Sequence, residues 1–178
     1  MEAIVLLAVF AVLALTKSSG DSVVSDNVTP WNRWDTLINK YVTGTSVPFD
    51  WVKAIMIIES DLGRAPSVAR GILKPTEVDA SKSSDGKSWG LMQLTLPTAR
   101  MFEPLITEVG LNDPEISIRL GVKYLKWLIS KKGLDQEYIA RSYNGGLGWP
   151  NSSTGRNMTA VYYSKFLLAL DRVRANKG

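Results

Sequence analysis

Apolar side chains recur at intervals of three or four residues along most of this chain, and this spacing predicts a mainly helical fold. Residues 49–60 form one predicted helix, and two others are defined by a single apolar face each. Their apolar positions are Trp31, Trp34, Ile38 and Tyr41 in the first helix, and Tyr162, Phe166, Leu170 and Val173 in the last. The sequence has neither a βαβ pattern nor an internal repeat, so it predicts one predominantly helical domain.

Capping residues, prolines and glycines predict where several helices begin and end. The predicted starts are Thr95-Pro97, Asp113-Pro114 and Asp135, and the predicted ends are Leu105, Gly133 and Gly145-Gly146. The polar stretch 61–88 is too long for a plain connection in a compact domain. It therefore predicts an active-site loop, a lid or a small hairpin after the second helix.

The chain begins with thirteen apolar residues without a charge, at positions 3–15. As a helix they would span ~20 Å, which is short of the ~30 Å bilayer core and close to the apolar region of a secretory signal. Glu2 stands where such a signal carries a cation. We expect residues 1–16 to be a membrane-anchor or signal-like segment, 17–30 a linker, and 31–178 the folded domain. A buried N-terminal helix is the alternative.

The chain contains neither His nor Cys. This excludes Ser-His and Cys-His nucleophilic catalysis, zinc sites built on imidazole or thiolate, and disulfides. If the chain is an enzyme, a carboxylic acid is the expected proton carrier. Lys and Arg number 21 against 17 Asp and Glu, a net charge of +4 that suits an anionic polymer or surface. No basic cluster with interleaved aromatics is present, so no nucleic-acid partner is expected.

Glu59 continues the apolar face of the second predicted helix, because Val52, Ile55, Met56 and Glu59 occupy positions i, i+3, i+4 and i+7. Burial raises the pKa of a carboxyl group, and a carboxyl that is still protonated near neutral pH can act as a general acid. Periodicity alone leaves two other interpretations open. Glu59 could be a structural residue paired with Lys or Arg, or it could turn outward at a frayed helix end.

Three short motifs follow one another in the chain: Glu59-Ser60, Gly-Leu-Met-Gln at 90–93 and Ser-Tyr-Asn-Gly-Gly at 142–146. In this order they resemble the lytic transglycosylase (SLT) domain of the lysozyme superfamily, over roughly residues 31–170. That family carries Glu-Ser, Gly-Leu-Met-Gln and Ala-Tyr-Asn-x-Gly, so Ser142 replaces the usual Ala. The resemblance implies a mainly α, lysozyme-like domain with a substrate cleft and with no metal or cofactor.

The resemblance also implies roles for individual side chains. Glu59 would be the catalytic acid and later the base. The implied substrate-binding residues are Ser60, Ser84, Gly90, Met92, Gln93, Tyr143, Asn144 and Tyr162. Ser84 is the candidate for the serine that commonly neighbours the acid, and Met92 is expected to pack under the site. One departure is Met158, which stands where the family often has a further Glu.

The implied substrate is peptidoglycan, cut between N-acetylmuramic acid and N-acetylglucosamine with formation of a 1,6-anhydro ring. The expected location is the cell envelope, membrane-associated or periplasmic, or a phage virion. One alternative is a goose-type hydrolytic lysozyme, with its second carboxylate drawn from Asp61, Glu77, Asp79 or Asp85. The other alternative is a catalytically idle glycan-binding or structural component of an envelope or virion assembly.

Overall fold

The computed structural model describes residues 29–66, 68–69 and 87–176. Its helices are α1 (Asp35–Val42), α2 (Phe49–Ser60), α3 (Leu96–Arg100), α4 (Glu108–Leu111), α5 (Pro114–Lys132), α6 (Gln136–Gly145) and α7 (Ser153–Ala175), with a 3-10 turn at Trp149–Asn151. Strands β1 (Ser88–Trp89) and β2 (Leu94–Thr95) form an antiparallel hairpin. The predicted mainly α fold is confirmed. The small hairpin lies at 88–95, and most of the polar stretch 61–88, for which the sequence predicts a loop, a lid or a hairpin, lies outside the described residues.

Helix α2 lies at the centre of the core, with every residue from Trp51 to Met56 buried. It packs antiparallel to α7: Tyr162 in the first half of α7 contacts Glu59 at the end of α2, and Arg174 near the end of α7 lies 3.8 Å from Asp50. The burial of these apolar side chains is the main stabilising contribution to the fold. Because these contacts fix the position of α2 along its length, they also fix the position of the residues in its last turn.

The predicted helix caps are confirmed at three N-termini. The side chains of Thr95, Asp113 and Asp135 each accept a hydrogen bond from the backbone N–H three residues later. These bonds satisfy donors that a helix start otherwise leaves unpaired. Gly133 ends α5 with a φ of 66°, a conformation that glycine adopts at little cost.

The first helix begins at Asp35, so the prediction that Trp31 and Trp34 belong to it was wrong. Residues 30–34 form turns, in which Asn32 accepts a hydrogen bond from the backbone of Thr29 at 2.6 Å. The indole of Trp34 donates to the carbonyl of Leu62 at 2.8 Å. Tertiary contacts of the tryptophan therefore take precedence over helical periodicity in this segment.

The helix that opens at Thr95 is also shorter than predicted. It ends at Arg100, and Leu105, placed within it by the sequence, is 92% exposed. Residue 103 precedes Pro104, and a residue before proline is disfavoured in the helical conformation.

Several predictions concern residues outside the described ranges. These are the apolar segment 1–16, most of the linker 17–30, the candidate site residue Ser84, and the possible second carboxylates Glu77, Asp79 and Asp85. Within the described part of the chain, no helix combines the length and the apolar character needed to cross a membrane.

Candidate active site

The end of α2 determines where Glu59 lies. Val52, Ile55 and Met56 are at most 1% exposed, and Glu59 follows them on the same helix face as a half-buried residue. The helix then stops at once, because Asp61 takes a left-handed conformation with a φ of 49°. The carboxyl group is therefore held at the end of a rigid element and is not turned out into solvent.

The environment of Glu59 favours its protonated form. Burial raises the pKa of the carboxyl group to about 7, although the hydrogen bond from Tyr162 and the charge of Lys165 both lower it. The Tyr162 hydroxyl donates to Oε1 of Glu59 at 2.7 Å, across 103 positions of sequence. Near neutral pH, about half of such carboxyl groups carry a proton, so the group can both donate and accept one.

The hairpin turn at 90–93 forms the facing wall. Gly90 has a φ of +75°, and a Cβ atom there would lie 1.9 Å from the carbonyl oxygen of Leu111, so only glycine fits. The amide Nε2 of Gln93 donates to the Gly90 carbonyl at 2.8 Å. Met92 is fully buried below the turn and packs against Gly121 of α5, where an added Cβ would lie 2.7 Å from Met92 Cε.

Helix α6 closes the third side with Tyr143 and Asn144. The Tyr143 hydroxyl donates to the carbonyl of Met92 at 2.7 Å, and its ring lies 5.3 Å from the ring of Tyr124. These contacts tie α6 to the hairpin turn. Asn144 is exposed at the rim.

A cleft opens between these walls. The described residues that line it are Glu59, Ser88, Gln93, Leu94, Thr95, Thr98, Tyr124, Tyr143 and Asn144. Among these lining residues, only Glu59 carries a carboxyl group. Elsewhere in the described ranges, no group of three or more Asp or Glu side chains is placed to hold a metal ion.

The site residues predicted from the sequence fall into three groups according to where they lie in the structure. Glu59, Gln93, Tyr143 and Asn144 line the cleft, and Tyr162 contacts the carboxyl of Glu59. Gly90 and Met92 shape the turn from below. Ser60 is 1% exposed; its hydroxyl donates to the Met56 carbonyl at 3.1 Å and accepts from the Gly63 N–H, which fixes the end of α2.

Five further residues line the cleft that the sequence motifs do not indicate: Ser88, Leu94, Thr95, Thr98 and Tyr124. The strand pairing explains two of them, because Ser88 lies directly opposite Thr95. Directly paired residues of an antiparallel hairpin share one face. The Thr95 hydroxyl also lies 2.8 Å from that of Thr98. Recognising the hairpin and its register would have indicated a hydroxyl-rich wall.

Ser142, the departure from the usual motif, has a partner of its own. Its hydroxyl accepts a hydrogen bond from the indole of Trp149 at 3.1 Å, and the guanidinium of Arg141 stacks 3.8 Å from the Trp149 ring. The extra hydroxyl therefore braces the segment that follows α6. Met158 lies one turn before Tyr162 on α7 and is 65% exposed.

Comparisons with known proteins agree with this geometry. A family model described as the transglycosylase SLT domain matches residues 36–164. No curated protein matches the chain significantly.

Two solved structures share the fold. One is the complex of the 70-kDa soluble lytic transglycosylase with bulgecin A, at 22% identity and a TM-score of 0.54 over 80% of this chain. The other is the 70-kDa soluble lytic transglycosylase from Escherichia coli, at 24% identity and a TM-score of 0.51 over 79% of this chain. The match covers 22% of each of those longer chains.

Proposed function

This chain belongs to the transglycosylase SLT domain family, and from that membership and the cleft geometry we propose that it is a peptidoglycan lytic transglycosylase. The bond cleaved is the β-1,4 linkage between N-acetylmuramic acid and N-acetylglucosamine, which places the activity in the cell envelope. The observation that carries the proposal is the half-buried carboxyl of Glu59, with its pKa raised to about 7, in a cleft between α2, the hairpin and α6.

In the first step Glu59 acts as a general acid. Tyr162 donates to Oε1 of Glu59, so we assign the transferable proton to Oε2. That proton passes to the glycosidic oxygen as its bond to C1 of the muramic acid breaks and an oxocarbenium-like centre forms. The N-acetylglucosamine end leaves as an alcohol, and Glu59 is left as a carboxylate that Tyr162 stabilises.

In the second step the same carboxylate acts as the base. The 6-hydroxyl of the muramic acid attacks C1, its proton returns to Glu59, and a 1,6-anhydro ring closes. Intramolecular attack supplies the high effective concentration that a free water lacks. One carboxyl group therefore balances both proton transfers, in agreement with Glu59 as the only carboxyl-bearing residue among the described ones that line the cleft.

The remaining predicted residues take supporting roles in this proposal. Gln93 and Asn144 present amides to the acetamido sugar, and Tyr143 contacts the sugar beside Glu59. Tyr162 orients the carboxyl. We assign the others to the shape of the cleft: Ser60, Gly90 and Met92 through the contacts described above, and Ser84 as the neighbour of the acid.

Purified sacculi test the proposal. The wild-type chain is expected to release soluble muropeptides, and Glu59→Gln serves as the control for contaminating activity. A wild-type chain that sediments with sacculi and releases no soluble glycan would contradict the proposal and favour an idle glycan-binding module.

The domain boundaries form a second part of the proposal: residues 1–16 associate with a membrane, 17–30 link, and 31–178 catalyse. The family match at 36–164 lies within the proposed catalytic part. A chain beginning at Thr29 is therefore expected to cleave sacculi at the wild-type rate and to lose membrane association. Loss of cleavage in that variant, with the full chain active, would refute the boundary.

Assembly into a phage virion is the alternative to membrane association. It is supported by the short apolar leader and the small catalytic part. Recovery of the chain in purified virus particles would favour the virion, whereas recovery in the membranes of uninfected cells would favour the anchor.

A further inference from the structure

Helix α7 carries a row of exposed apolar side chains that the cleft does not use. Of the eight large hydrophobic residues that are exposed among the described ones, four lie on this helix: Met158, Val161, Leu167 and Leu168. Spacings of three and four residues align most of them with two cations on one face of the helix. This row, which we call the α7 stripe, consists of Met158, Val161, Lys165, Leu168 and Arg172.

Helix α2 widens the stripe into a groove. Ile57 and Ile58 lie beside Lys165, Leu168, Ala169 and Arg172 around a shallow cavity of about 320 Å³. Leu168 is 72% exposed. Contiguous exposed apolar surface on a soluble domain marks a surface for interaction.

The charge of α7 favours an anionic partner. Between Ser153 and Ala175 the helix carries four cations, Arg156, Lys165, Arg172 and Arg174, against the single acid Asp171. Two of these cations lie in the stripe on either side of Leu168. Basic residues next to Leu on one helix face are typical of helices that lie in the interface of a membrane with anionic lipids.

The position of the N-terminus favours the same partner. The guanidinium of Arg172 lies 4.8 Å from the ring of Trp31, so the described part of the chain begins beside the end of the stripe. Only residues 16–28 separate Thr29 from the apolar segment 3–15. Thirteen residues span at most ~45 Å. An anchored segment 3–15 would therefore hold this edge of the domain near the membrane.

We propose that the α7 stripe, with Ile57 and Ile58, docks on a membrane surface that contains anionic phospholipid. Leu168, Val161 and the two isoleucines enter the headgroup region, while Lys165 and Arg172 contact lipid phosphates. The docking is additional to the proposed anchor, and it rests on observations other than those that support catalysis.

The absence of native Cys allows a site-resolved test in the full-length chain. Leu168→Cys carries an environment-sensitive fluorophore in the stripe, and Leu134→Cys carries it at a matched exposed leucine between α5 and α6. Vesicles contain brominated lipid with either phosphatidylcholine alone or phosphatidylcholine plus phosphatidylglycerol. We expect several-fold stronger quenching at 168 than at 134, and only with phosphatidylglycerol present.

A charge reversal sharpens this test. In the Leu168→Cys background, Lys165→Glu is expected to lower the quenching several-fold, whereas Lys126→Glu on α5, also exposed, leaves it unchanged. Equal quenching at 168 and 134, or none at 168, overturns the proposal. A probe at 168 that is already shifted to the blue before lipid is added shows that residues 3–15 or a second copy cover the stripe, and also overturns it. None of these readouts depends on cleavage of peptidoglycan.

Discussion

Two glutamates of this domain accept a hydrogen bond from a tyrosine hydroxyl, yet their pKa values are shifted in opposite directions from the ordinary value of a Glu side chain. Tyr162 donates to Glu59 at 2.7 Å, and Tyr41 donates to Glu115 at 2.5 Å. The pKa of Glu59 is raised to about 7, whereas the hydrogen bonds and charge of Lys40, with Tyr41, lower the pKa of Glu115. The shared tyrosine contact therefore does not determine protonation.

The position of each glutamate in the fold determines the direction in which its pKa is shifted. Glu59 ends a buried helix inside the cleft, and the cost of desolvating its charge exceeds what Tyr162 and the more distant Lys165 return. Glu115 lies in the first turn of α5 with its side chain 46% exposed and Lys40 at 2.5 Å. Water and a lysine stabilise its carboxylate. The comparison identifies burial as the physical difference between a proton carrier and a surface ion-pair partner.

The largest expected effect is on the rate of peptidoglycan cleavage, which should differ strongly between a variant of Glu59 and a variant of Glu115. Glu59→Gln keeps the size of the side chain and removes its transferable proton, so cleavage of sacculi should fall by a factor of ~10²–10⁴, the usual contribution of a general acid. Glu115→Gln should cleave at close to the wild-type rate. Rates of muropeptide release, with folding checked by circular dichroism, measure both. Comparable losses in the two variants would remove the distinction.

The second effect is on stability, and its sign differs between the two sites. The folded pKa of Glu59, about 7, exceeds the ~4.3 of an unfolded Glu, so the wild type loses stability as pH rises between these values. Glu59→Gln abolishes this loss. At pH 8 its free energy of unfolding should exceed that of the wild type by about 3–4 kcal/mol, and the gain should vanish near pH 4.

Glu115→Gln should behave in the opposite way. The lowered pKa of Glu115 adds stability that is present above the unfolded pKa and lost as pH falls. The variant is therefore less stable than the wild type at neutral pH and equal to it in acid. Urea unfolding at a series of pH values measures both variants. Curves with the same sign for the two would contradict burial as the deciding difference.

A smaller effect concerns the tyrosines. The hydrogen bond from Tyr162 lowers the pKa of Glu59, so Tyr162→Phe should raise it. Because the acid must be protonated, kcat/KM declines as pH rises through that pKa, and the decline should move to higher pH in Tyr162→Phe. Tyr41→Phe is the matched control and should leave the pH profile where it is. A profile that moves to lower pH in Tyr162→Phe would show that the hydroxyl stabilises the protonated acid instead.

Local signals in the sequence predicted the frame of the site well. Residues 49–60 were predicted as a helix and form α2 with those bounds, and the caps at Asp113 and Asp135 depend only on neighbours within three positions. The predicted extent of the first helix was wrong, because the indole of Trp34 donates a hydrogen bond to the carbonyl of Leu62 in a distant loop.

Long-range geometry could not be obtained in the same way. Periodicity left Glu59 with three interpretations, and the choice depends on burial by α7 and on Tyr162, 103 positions away. The resemblance predicted Tyr162 as a site residue, but it did not predict that the Tyr162 hydroxyl contacts the carboxyl group of Glu59. The hydroxyl wall at Ser88 and Thr95 depends on the register of a two-residue strand pair, which is too short to show an alternating pattern.

Mass spectrometry of the muropeptides released from sacculi tests the central claim most directly. If Glu59 alone serves as acid and base, the sugar's own hydroxyl is the nucleophile, and the new ends are 1,6-anhydromuramic acid, lighter by ~18 Da than ends formed by attack of water. The account predicts anhydro ends as the dominant product, and their loss in Glu59→Gln. Reducing ends as the dominant product would contradict it and would require a second, water-activating carboxylate.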